Sequence, residues 1–346
     1  MPVTILFIGD PHIQVGNIPE VEIFMERMIN LATEREPDLI VIAGDLLHNH
    51  ERLHTLALNK AYEMVNDMRL IAKTYVLVGN HDYCNNQQFL TKNHWLNGMK
   101  EWKNTIIVDK VMSETISDEK FVFVPYVPPG RFEEALNTFY EEWRDAACIF
   151  AHQEFAGCKM GAIVSVEGDK WSLDNPLVVS GHIHSRQSPQ PNIYYSGSAM
   201  QHAFGESEKN IIACFTFDEG TYVNDEVNLR LPRKKIIYMD VEDMESYATP
   251  DTQDKIKVTI TGSYEQFKAL KRTKKYKDMV KEGTKIVFKP KKLVPEELAK
   301  ESSKGEGSFG SILNRLILEE KNTYLSQAYE LIVNEREREL DDIIFL

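Results

Sequence analysis

Near its start the sequence reads Val3-Thr-Ile-Leu-Phe-Ile-Gly-Asp-Pro-His12. Six apolar or β-branched residues in this stretch lead directly into a glycine, an aspartate and a histidine. A short continuous run of this kind is typical of a strand that is buried on both faces. The run has no basic flank and no small-residue cleavage site, so it does not have the features of a signal peptide. Asp10 and His12 therefore follow the carboxyl end of the first predicted strand.

Eight further segments have the same character, since each is short and most are β-branched or aromatic and bounded by polar or turn residues. Between the first three strands lie two amphipathic helical patterns, one containing Phe24, Met28 and Leu31 and the other covering residues 55–71. Repeated strand–helix–strand order predicts a layered α/β domain. The further predicted strands are 39–43, 75–78, 105–108, 121–125, 148–151, 177–180, 193–195 and 211–217.

Five segments have metal-binding residue types at or directly after the end of a predicted strand. In open α/β sheets the carboxyl ends of the strands share one edge, so these segments are expected to converge on one crevice. A single Gly-Asp pair is also ordinary turn chemistry, and the interpretation therefore depends on all five segments together. The segments are Gly9-Asp-Pro-His12, Gly44-Asp-Leu-Leu-His48, Gly79-Asn-His-Asp82, Ala151-His152 and Gly181-His-Ile-His184.

The residue types in these segments suit two divalent metal ions. Carboxylate, imidazole and amide oxygen ligands fit Mn²⁺, Mg²⁺, Fe²⁺ or Zn²⁺, and the absence of cysteine from the segments disfavours a structural zinc site. Two ions about 3.5–4 Å apart need one bridging carboxylate, and such a pair clamps a phosphate group and activates water. The pattern therefore predicts an enzyme that hydrolyses a phosphate ester.

The five segments resemble the calcineurin-like metallophosphoesterase superfamily, whose pattern is D-x-H, G-D, G-N-H-D/E, H and G-H-x-H, and all five parts occur here in order. The resemblance implies a layered α/β fold, with a β-sandwich flanked by helices, and two metal ions for which Mn²⁺ is the first choice. It also implies that Asp45 bridges the ions and that His81 stabilises the transition state or protonates the leaving oxygen. The implied ligands are Asp10, His12 and His184 for one ion and Asn80, His152 and His182 for the other.

Within this superfamily the sequence is most similar to the Mre11/SbcD-type DNA nucleases. His48, three residues after the bridging aspartate, matches a substrate-side histidine of those nucleases, and residues 195–198 and 204–206 resemble the segment after their last metal motif. Two features depart from the pattern. Pro11 stands where many of these nucleases have an aromatic residue, and residues 154–171 match no segment with an assigned role.

The chain divides into three predicted units. Residues 1–232 form the catalytic domain. Residues 233–294 have the order strand, acidic loop, strand, helix (263–281) and strand, which predicts a small α+β unit. The resemblance to Mre11/SbcD-type nucleases implies that this unit is a capping domain. Gly283 suits the left-handed conformation that ends a helix. Residues 295–346 contain a linker rich in glycine, serine and charge, followed by two short amphipathic helices that form a C-terminal helical pair.

Charge is distributed unevenly along the chain. The net charge is −13, yet residues 255–292 contain thirteen Lys and Arg against three acidic residues. Lysine runs are often solvated faces, but such faces usually mix both signs. The nearly pure positive charge of the predicted helix indicates sequence-independent contact with a nucleic-acid backbone. The predicted contact residues are Lys268, Lys271, Arg272, Lys274, Lys275 and Lys277.

The resemblance to Mre11/SbcD-type nucleases also implies partners. It implies DNA as the substrate and a Rad50/SbcC-like coiled-coil ATPase that docks on the C-terminal helices, although these helices would equally suit closing the core or forming a homodimer. The leading hypothesis is a DNA exonuclease or endonuclease. One alternative is a stand-alone phosphodiesterase or phosphatase that acts on a nucleotide or another small phosphate ester. A third is a non-catalytic scaffold subunit of a nucleic-acid complex.

Cysteine usage and hydropathy restrict the cellular compartments in which the protein is expected. The four cysteines are far apart and form no CxxC pair, which disfavours both disulfides and a zinc ribbon and fits a reducing compartment. No apolar run approaches the roughly 18 residues that a membrane span needs. We therefore expect an intracellular protein, cytoplasmic or nuclear, that is not secreted and has no membrane partner.

Overall fold

The computed structural model describes residues 1–50, 52–207 and 209–291, together with residues 313, 316–320, 325 and 329. The predicted linker lies outside the described residues, as does most of the predicted C-terminal helical pair. Five helices carry labels below: α1 (Ile18–Arg35), α2 (Thr55–Ile71), α3 (Phe132–Leu136), α4 (Tyr264–Leu270) and α5 (Lys274–Lys281). None of the helices in the described parts of the chain is long and apolar enough to cross a membrane.

Two six-stranded sheets form the body of the first domain. The first has the order β14-β13-β1-β2-β3-β4 and the second has the order β11-β12-β10-β7-β6-β5. The strands of the first sheet are β1 (Val3–Ile8), β2 (Leu39–Ile42), β3 (Lys73–Leu77), β4 (Thr105–Val108), β13 (Ile212–Asp218) and β14 (Thr221–Val227). Those of the second are β5 (Met112–Ile116), β6 (Glu119–Phe123), β7 (Cys148–His152), β10 (Leu177–Gly181), β11 (Gln187–Gln190) and β12 (Ile193–Tyr195).

The centre of each sheet is parallel and its margins are antiparallel. Strands β1 to β4 run parallel, as do β6, β7, β10 and β12, whereas β13, β14, β5 and β11 pair antiparallel with their neighbours. A separate hairpin, β8 (Lys159–Met160) and β9 (Ile163–Val164), follows β7. Parallel strands bring their carboxyl ends to one edge of a sheet. The five segments with metal-binding residue types lie at or directly after these strand ends.

The two sheets pack face to face, and helices cover the outer faces. Phe7 of the first sheet stacks on Phe150 of the second, with ring centres 5.9 Å apart. Residues of both sheets form this central core, while Phe24 of α1 and Met64 of α2 pack on the outer face of the first sheet. The short α3 packs on the second sheet through Phe132. The layered β-sandwich predicted by the family resemblance is confirmed.

All nine strands predicted for the first domain are present, with ends that differ by at most two residues from the predicted ones. The prediction missed β5, β8, β9, β11 and β14. Three of these, β5, β11 and β14, are edge strands with at least one exposed face, so they lack the apolar run that marks a buried strand. For example, β14 reads Thr-Tyr-Val-Asn-Asp-Glu-Val and is exposed over most of its length.

The C-terminal unit is a small α+β fold, as expected from residues 233–294. A parallel sheet of β15 (Lys234–Asp240), β16 (Lys255–Gly262) and β17 (Lys285–Pro290) is covered on one face by α4 and α5. The prediction of a single helix over 263–281 is wrong, because the structure has two helices there, α4 and α5. Thr273 interrupts the predicted helix, because the Thr273 hydroxyl accepts the backbone N–H of Tyr276 at 3.2 Å and starts a new helix. Gly283 has φ +88°, as its predicted helix-ending conformation requires.

The contact between the sheets generates a stability prediction. Phe150 is fully buried and its ring also lies 5.6 Å from that of Phe123. We expect Phe150→Ala to lower the free energy of unfolding by about 3–5 kcal/mol, because it removes a large side chain from a packed core. Urea denaturation measures this value. The matched control is Tyr140→Ala, at a side chain that is 91% exposed, which should change it by less than about 0.5 kcal/mol.

Candidate metal centre

The seven predicted ligands lie at one end of the sandwich, where the carboxyl ends of strands from both sheets meet. In the first sheet Asp10, Asp45 and Asn80 come two to three residues after the ends of β1, β2 and β3. In the second sheet His152 is the last residue of β7 and His182 directly follows β10. The remaining two predicted ligands, His12 and His184, each stand two residues further along the same loops. The structure therefore brings all seven residues into one crevice.

Asp45 lies between the two predicted ligand groups. Its Oδ2 atom is 3.5 Å from Nε2 of His12 and 3.4 Å from Nε2 of His152. On one side, Nε2 of His12 is only 3.0 Å from Nε2 of His184. On the other side, Asn80 Oδ1 lies 3.0 Å from both His152 Nε2 and His182 Nδ1. With one predicted ligand group on each side, the Asp45 carboxylate would suit the bridging of two ions.

Asp10 provides the clearest test of whether metal ions fit this site. Its side chain is completely buried, and neither carboxylate oxygen accepts a hydrogen bond from any residue that the structure describes. Nδ1 of His152 lies 3.5 Å from Asp10 Oδ1, but its hydrogen bond goes to the carbonyl oxygen of Ala43 at 2.7 Å. A buried carboxylate without hydrogen bonds is costly, and a cation would offset this cost. The two ring nitrogens that face each other between His12 and His184 also suit a shared cation. Two groups of side chains have the spacing that a metal ion needs. Asp45, His152 and His182 agree with one predicted ligand group, whereas the other group joins His12 to His48 and His81 and not to Asp10 and His184.

The local electrostatics favour positive charge. Burial raises the pKa of Asp10, although the nearby His152 acts in the opposite direction. Burial would also raise the pKa of Asp45, but His152 and His12 hold it well below its ordinary value. Burial would lower the pKa of His152, yet the Asp45 and Asp10 carboxylates raise it to about 9. Two buried carboxylates therefore attract cations, whether these are protons or metal ions.

Three of the predicted ligands have an unusual backbone conformation. His12, Asp45 and His182 have φ values of +44°, +49° and +78°, in the left-handed region that side chains rarely adopt. Such strain persists only where the surrounding contacts hold it in place. Gly181 is needed for a related reason, since a Cβ atom there would lie 2.5 Å from Asp10 Oδ1. The strand ends are therefore shaped to bring the ligands together.

His81 and His48, the two predicted catalytic histidines, stand beside the ligands. The backbone N–H of His81 donates to Asp45 Oδ1 at 2.8 Å, and its Nδ1–H donates to the carbonyl oxygen of His48 at 2.6 Å. The ring of His12 lies 4.8 Å from that of His81 and 5.4 Å from that of His48. Burial lowers the pKa of His81, against the opposing effects of Asp45 and the hydrogen bond to His48. The ring of His50 stacks on that of His81, with ring centres 4.3 Å apart.

Comparison with known proteins identifies the family of this chain. The family model for calcineurin-like phosphoesterases matches residues 3–209, which include every predicted ligand.

The chain belongs to the calcineurin-like phosphoesterase family.

Two viral relatives agree with this assignment. The chain is 49% identical over 295 residues to "Putative phosphoesterase 078R" of Invertebrate iridescent virus 3, covering 84% of this chain and 85% of that protein. It is 51% identical over 276 residues to "Putative phosphoesterase 244L" of Invertebrate iridescent virus 6, covering 78% of this chain and 98% of that protein. Among solved structures, GAP50, the anchor in the inner membrane complex of Plasmodium, is similar over 66% of this chain and 85% of its own, with 15% identity and a TM-score of 0.42. The chain is therefore a metallophosphoesterase, and its His and Asp clusters are candidate sites for divalent ions.

Several residues of the phosphoesterase site were missed by the sequence prediction. Glu206 lies behind the predicted ligand His184, with Oε1 3.5 Å from its Nδ1, and its other oxygen accepts the backbone N–H of His202 at 2.7 Å. The ring of His202 lies 4.8 Å from that of His12. Glu154, in the segment without an assigned role, places Oε2 3.9 Å from Nε2 of His182. Carboxylates in such positions orient a ligating histidine.

The six basic residues predicted to bind nucleic acid lie on or next to α4 and α5. Five of them are exposed, and the ammonium group of the sixth, Lys275, donates to the carbonyl oxygen of Glu245 at 2.5 Å. The two helices cover one face of the C-terminal sheet. The opposite face approaches the first domain, where Lys255 pairs with Glu20 at 2.5 Å. The basic residues therefore stand on the far side of the C-terminal sheet from the metal centre.

Asp82 holds the segment that positions Asp45, and this generates a prediction. Its Oδ2 accepts the backbone N–H groups of Asp45 at 2.8 Å and Gly79 at 3.0 Å, and its Oδ1 accepts Nε1–H of Trp95 at 3.0 Å. We expect Asp82→Ala to lower the free energy of unfolding by about 3 kcal/mol, because three buried donors lose their acceptor. It should also weaken Mn²⁺ binding about 10–100-fold. Urea denaturation and titration calorimetry measure the two effects.

The control for this prediction is Asp82→Asn, which keeps one acceptor oxygen for the two backbone N–H groups and should lose less on both measures. Unchanged Mn²⁺ affinity in Asp82→Ala would show that Asp82 does not position the bridging carboxylate.

Proposed function

We propose that this phosphoesterase is a two-metal-dependent nuclease of Mre11/SbcD type, which hydrolyses phosphodiester bonds of DNA in repair or recombination. One observation carries the proposal. The ammonium groups of Lys257 and Lys285 lie 5.8 and 6.0 Å from the ring centre of Phe204, which lines the same cleft as His182 and His184. Two strands of the C-terminal sheet thus provide positive charge beside the metal centre, where an approaching polyanion needs it.

The cleft has room for more than an inorganic phosphate. Its volume is about 920 Å³, toward the upper end of the roughly 300–1,000 Å³ that is typical of ligand sites. Besides the two ligand histidines, its walls carry the aromatic ring of Phe204 and the cationic side chains of Lys159 and Arg186. This combination of size, aromatic surface and positive charge supports a nucleotide unit of a longer chain as the occupant.

His81 is in a position to protonate the leaving oxygen. Since its Nδ1–H donates to the carbonyl oxygen of His48, a proton on Nε2 is present only in the imidazolium form. Burial lowers the pKa of His81 and opposes that form, whereas the Asp45 carboxylate favours it and the negative charge of a bound phosphate would favour it further. Divalent ions in the centre would clamp the phosphoryl oxygens and activate water. His81 would then supply the proton that the departing alkoxide needs.

The geometry also bears on the two alternative functions. The ligand set is complete, and His81 lies beside it with its backbone N–H on Asp45, which favours an enzyme over a non-catalytic scaffold. A stand-alone phosphodiesterase for small esters needs the same metal centre. The nuclease and this enzyme therefore differ only in the size of the substrate that the site accepts. The wide cleft and the lysines beside it favour the longer substrate.

The domain division and the partners belong to the same proposal. We assign catalysis to residues 1–232 and substrate binding to the capping domain 233–294, whose helix-borne lysines would contact DNA at a distance from the cleft. Residues 295–346 would dock a Rad50/SbcC-like ATPase.

Hydrolysis of end-labelled linear DNA with Mn²⁺, at several salt concentrations, tests the proposed function. We expect cleavage that falls about 10²–10⁴-fold in His81→Asn, because the general acid is lost. Binding should weaken steeply with salt, because lysine–phosphate contacts release counterions. The matched control is His54→Asn, at an exposed histidine that caps α2, where asparagine is an equally good cap.

Two results would contradict the nuclease. Intact DNA alongside rapid hydrolysis of bis(4-nitrophenyl) phosphate by the same preparation would indicate the small-ester enzyme. Bound Mn²⁺ with no turnover of either substrate would indicate the scaffold.

A further inference from the structure

Phe204 has a position that the metal chemistry does not explain. It follows His202 and precedes Glu206, both of which lie against the ligand histidines, yet its own side chain lines the cleft and is only half buried. Two lysines in one row of the C-terminal sheet place their ammonium groups near its ring. Aromatic rings combined with nearby cations are a common setting for binding single-stranded nucleic acid by base stacking.

The sheet that carries these lysines presents an open face toward the cleft. In the parallel register, Ile236, Lys257 and Lys285 form one row on the face opposite α4 and α5. A Cβ added at Gly205 would lie 3.9 Å from the side chain of Ile236, so this row borders the Phe204 loop. In the next row, Tyr238 is 69% exposed. Positive charge and a second aromatic ring therefore continue outward from the cleft.

The cleft is also lined by Met160, which the β8–β9 hairpin carries. The hairpin is held to strand β11, because the Lys159 backbone N–H donates to Gln187 Oε1 at 2.7 Å and Gln187 Nε2 donates to the Lys159 carbonyl oxygen at 2.8 Å. Met160 is nonetheless 39% exposed, and its flexible thioether adapts to the edge or face of an aromatic ring. Phe204 and Met160 thus bring partly exposed apolar side chains to the cleft from separate segments.

We propose that Phe204 stacks on the base of the nucleotide next to the scissile phosphate, with Met160 packing against the same nucleotide and Lys257 and Lys285 contacting the neighbouring phosphates. The proposal rests on the proposed function and deepens it, because it names the substrate form. A base in a duplex has its faces covered by its neighbours, so the strand in the cleft must be unpaired there. Every base has a π face, and the contact therefore carries little sequence preference.

The test measures kcat/KM for Phe204→Ala with Mn²⁺ on a single-stranded oligonucleotide and on bis(4-nitrophenyl) phosphate. We expect the oligonucleotide value to fall about tenfold more than the small-diester value, because a stacking contact is lost. Phe204→Tyr, which keeps the ring, should restore most of the loss. Tyr140→Ala, at an exposed aromatic residue that does not line the cleft, should leave both values unchanged.

A substrate with one abasic nucleotide beside the scissile phosphate gives the decisive comparison. The abasic substrate should slow the wild-type enzyme by the same factor as Phe204→Ala, and the variant should show no further loss on it. Two results would overturn the stacking role. One is an equal loss of kcat/KM in Phe204→Ala on the oligonucleotide and on bis(4-nitrophenyl) phosphate. The other is additive losses from the variant and the abasic site. Failure of the proposed function is distinct, because the wild-type enzyme would then leave every oligonucleotide intact while hydrolysing the small diester.

The two lysines have a readout of their own. Replacing Lys257 and Lys285 together by alanine should reduce the slope of log affinity against log salt for single-stranded DNA by about 1.4, since each lost phosphate contact lowers it by about 0.7. The comparison variant replaces Lys103 and Lys110, two exposed lysines of the first domain to which no contact with DNA is assigned. A slope change no larger for Lys257 and Lys285 than for this control pair would contradict the assigned path.

Discussion

The burial of two carboxylates at one end of the sandwich is the constraint on which the rest of this structure depends. Asp10 and Asp45 are almost completely excluded from water, and hydrogen bonds from the described residues leave both oxygens of Asp10 unsatisfied. Cations offset that cost, and the imidazole groups around the carboxylates are further ligands that suit divalent ions. Divalent ions held there would therefore couple metal binding to folding, because they would stabilise the native state that they bind.

The metal centre spans the interface between the two sheets. The first sheet contributes its carboxylates and Asn80, and the second contributes His152 and His182, so no single sheet contains the whole site. Packing of aromatic side chains such as Phe7 on Phe150 sets how the strand ends of the two sheets face each other. Core packing thereby determines ligand distances, which is one reason why a β-sandwich with parallel centres suits a two-ion site.

The parts of the site predicted from sequence are those encoded locally, namely buried strands and the ligand residues directly after them. The missed parts depend on contacts between distant segments. Nε2 of His202 lies 2.9 Å from the carbonyl oxygen of Asp10, which is 192 residues away in the sequence. No local pattern in the sequence indicates that contact. Edge strands such as β14 lack an apolar run, and Thr273 interrupts a helical pattern by capping chemistry. Counting charges along the sequence identifies the basic helices. It does not predict which face of the C-terminal sheet these helices cover.

The most direct test of the account is a crystal structure of the Mn²⁺-soaked protein, with anomalous scattering used to locate the ions. The account predicts two anomalous peaks about 3.5–4 Å apart, one on each side of the Asp45 carboxylate. Asp10, His12 and His184 should bind one ion, while Asn80, His152 and His182 bind the other. A single peak, or two peaks that do not share Asp45, would contradict the bridged two-ion centre.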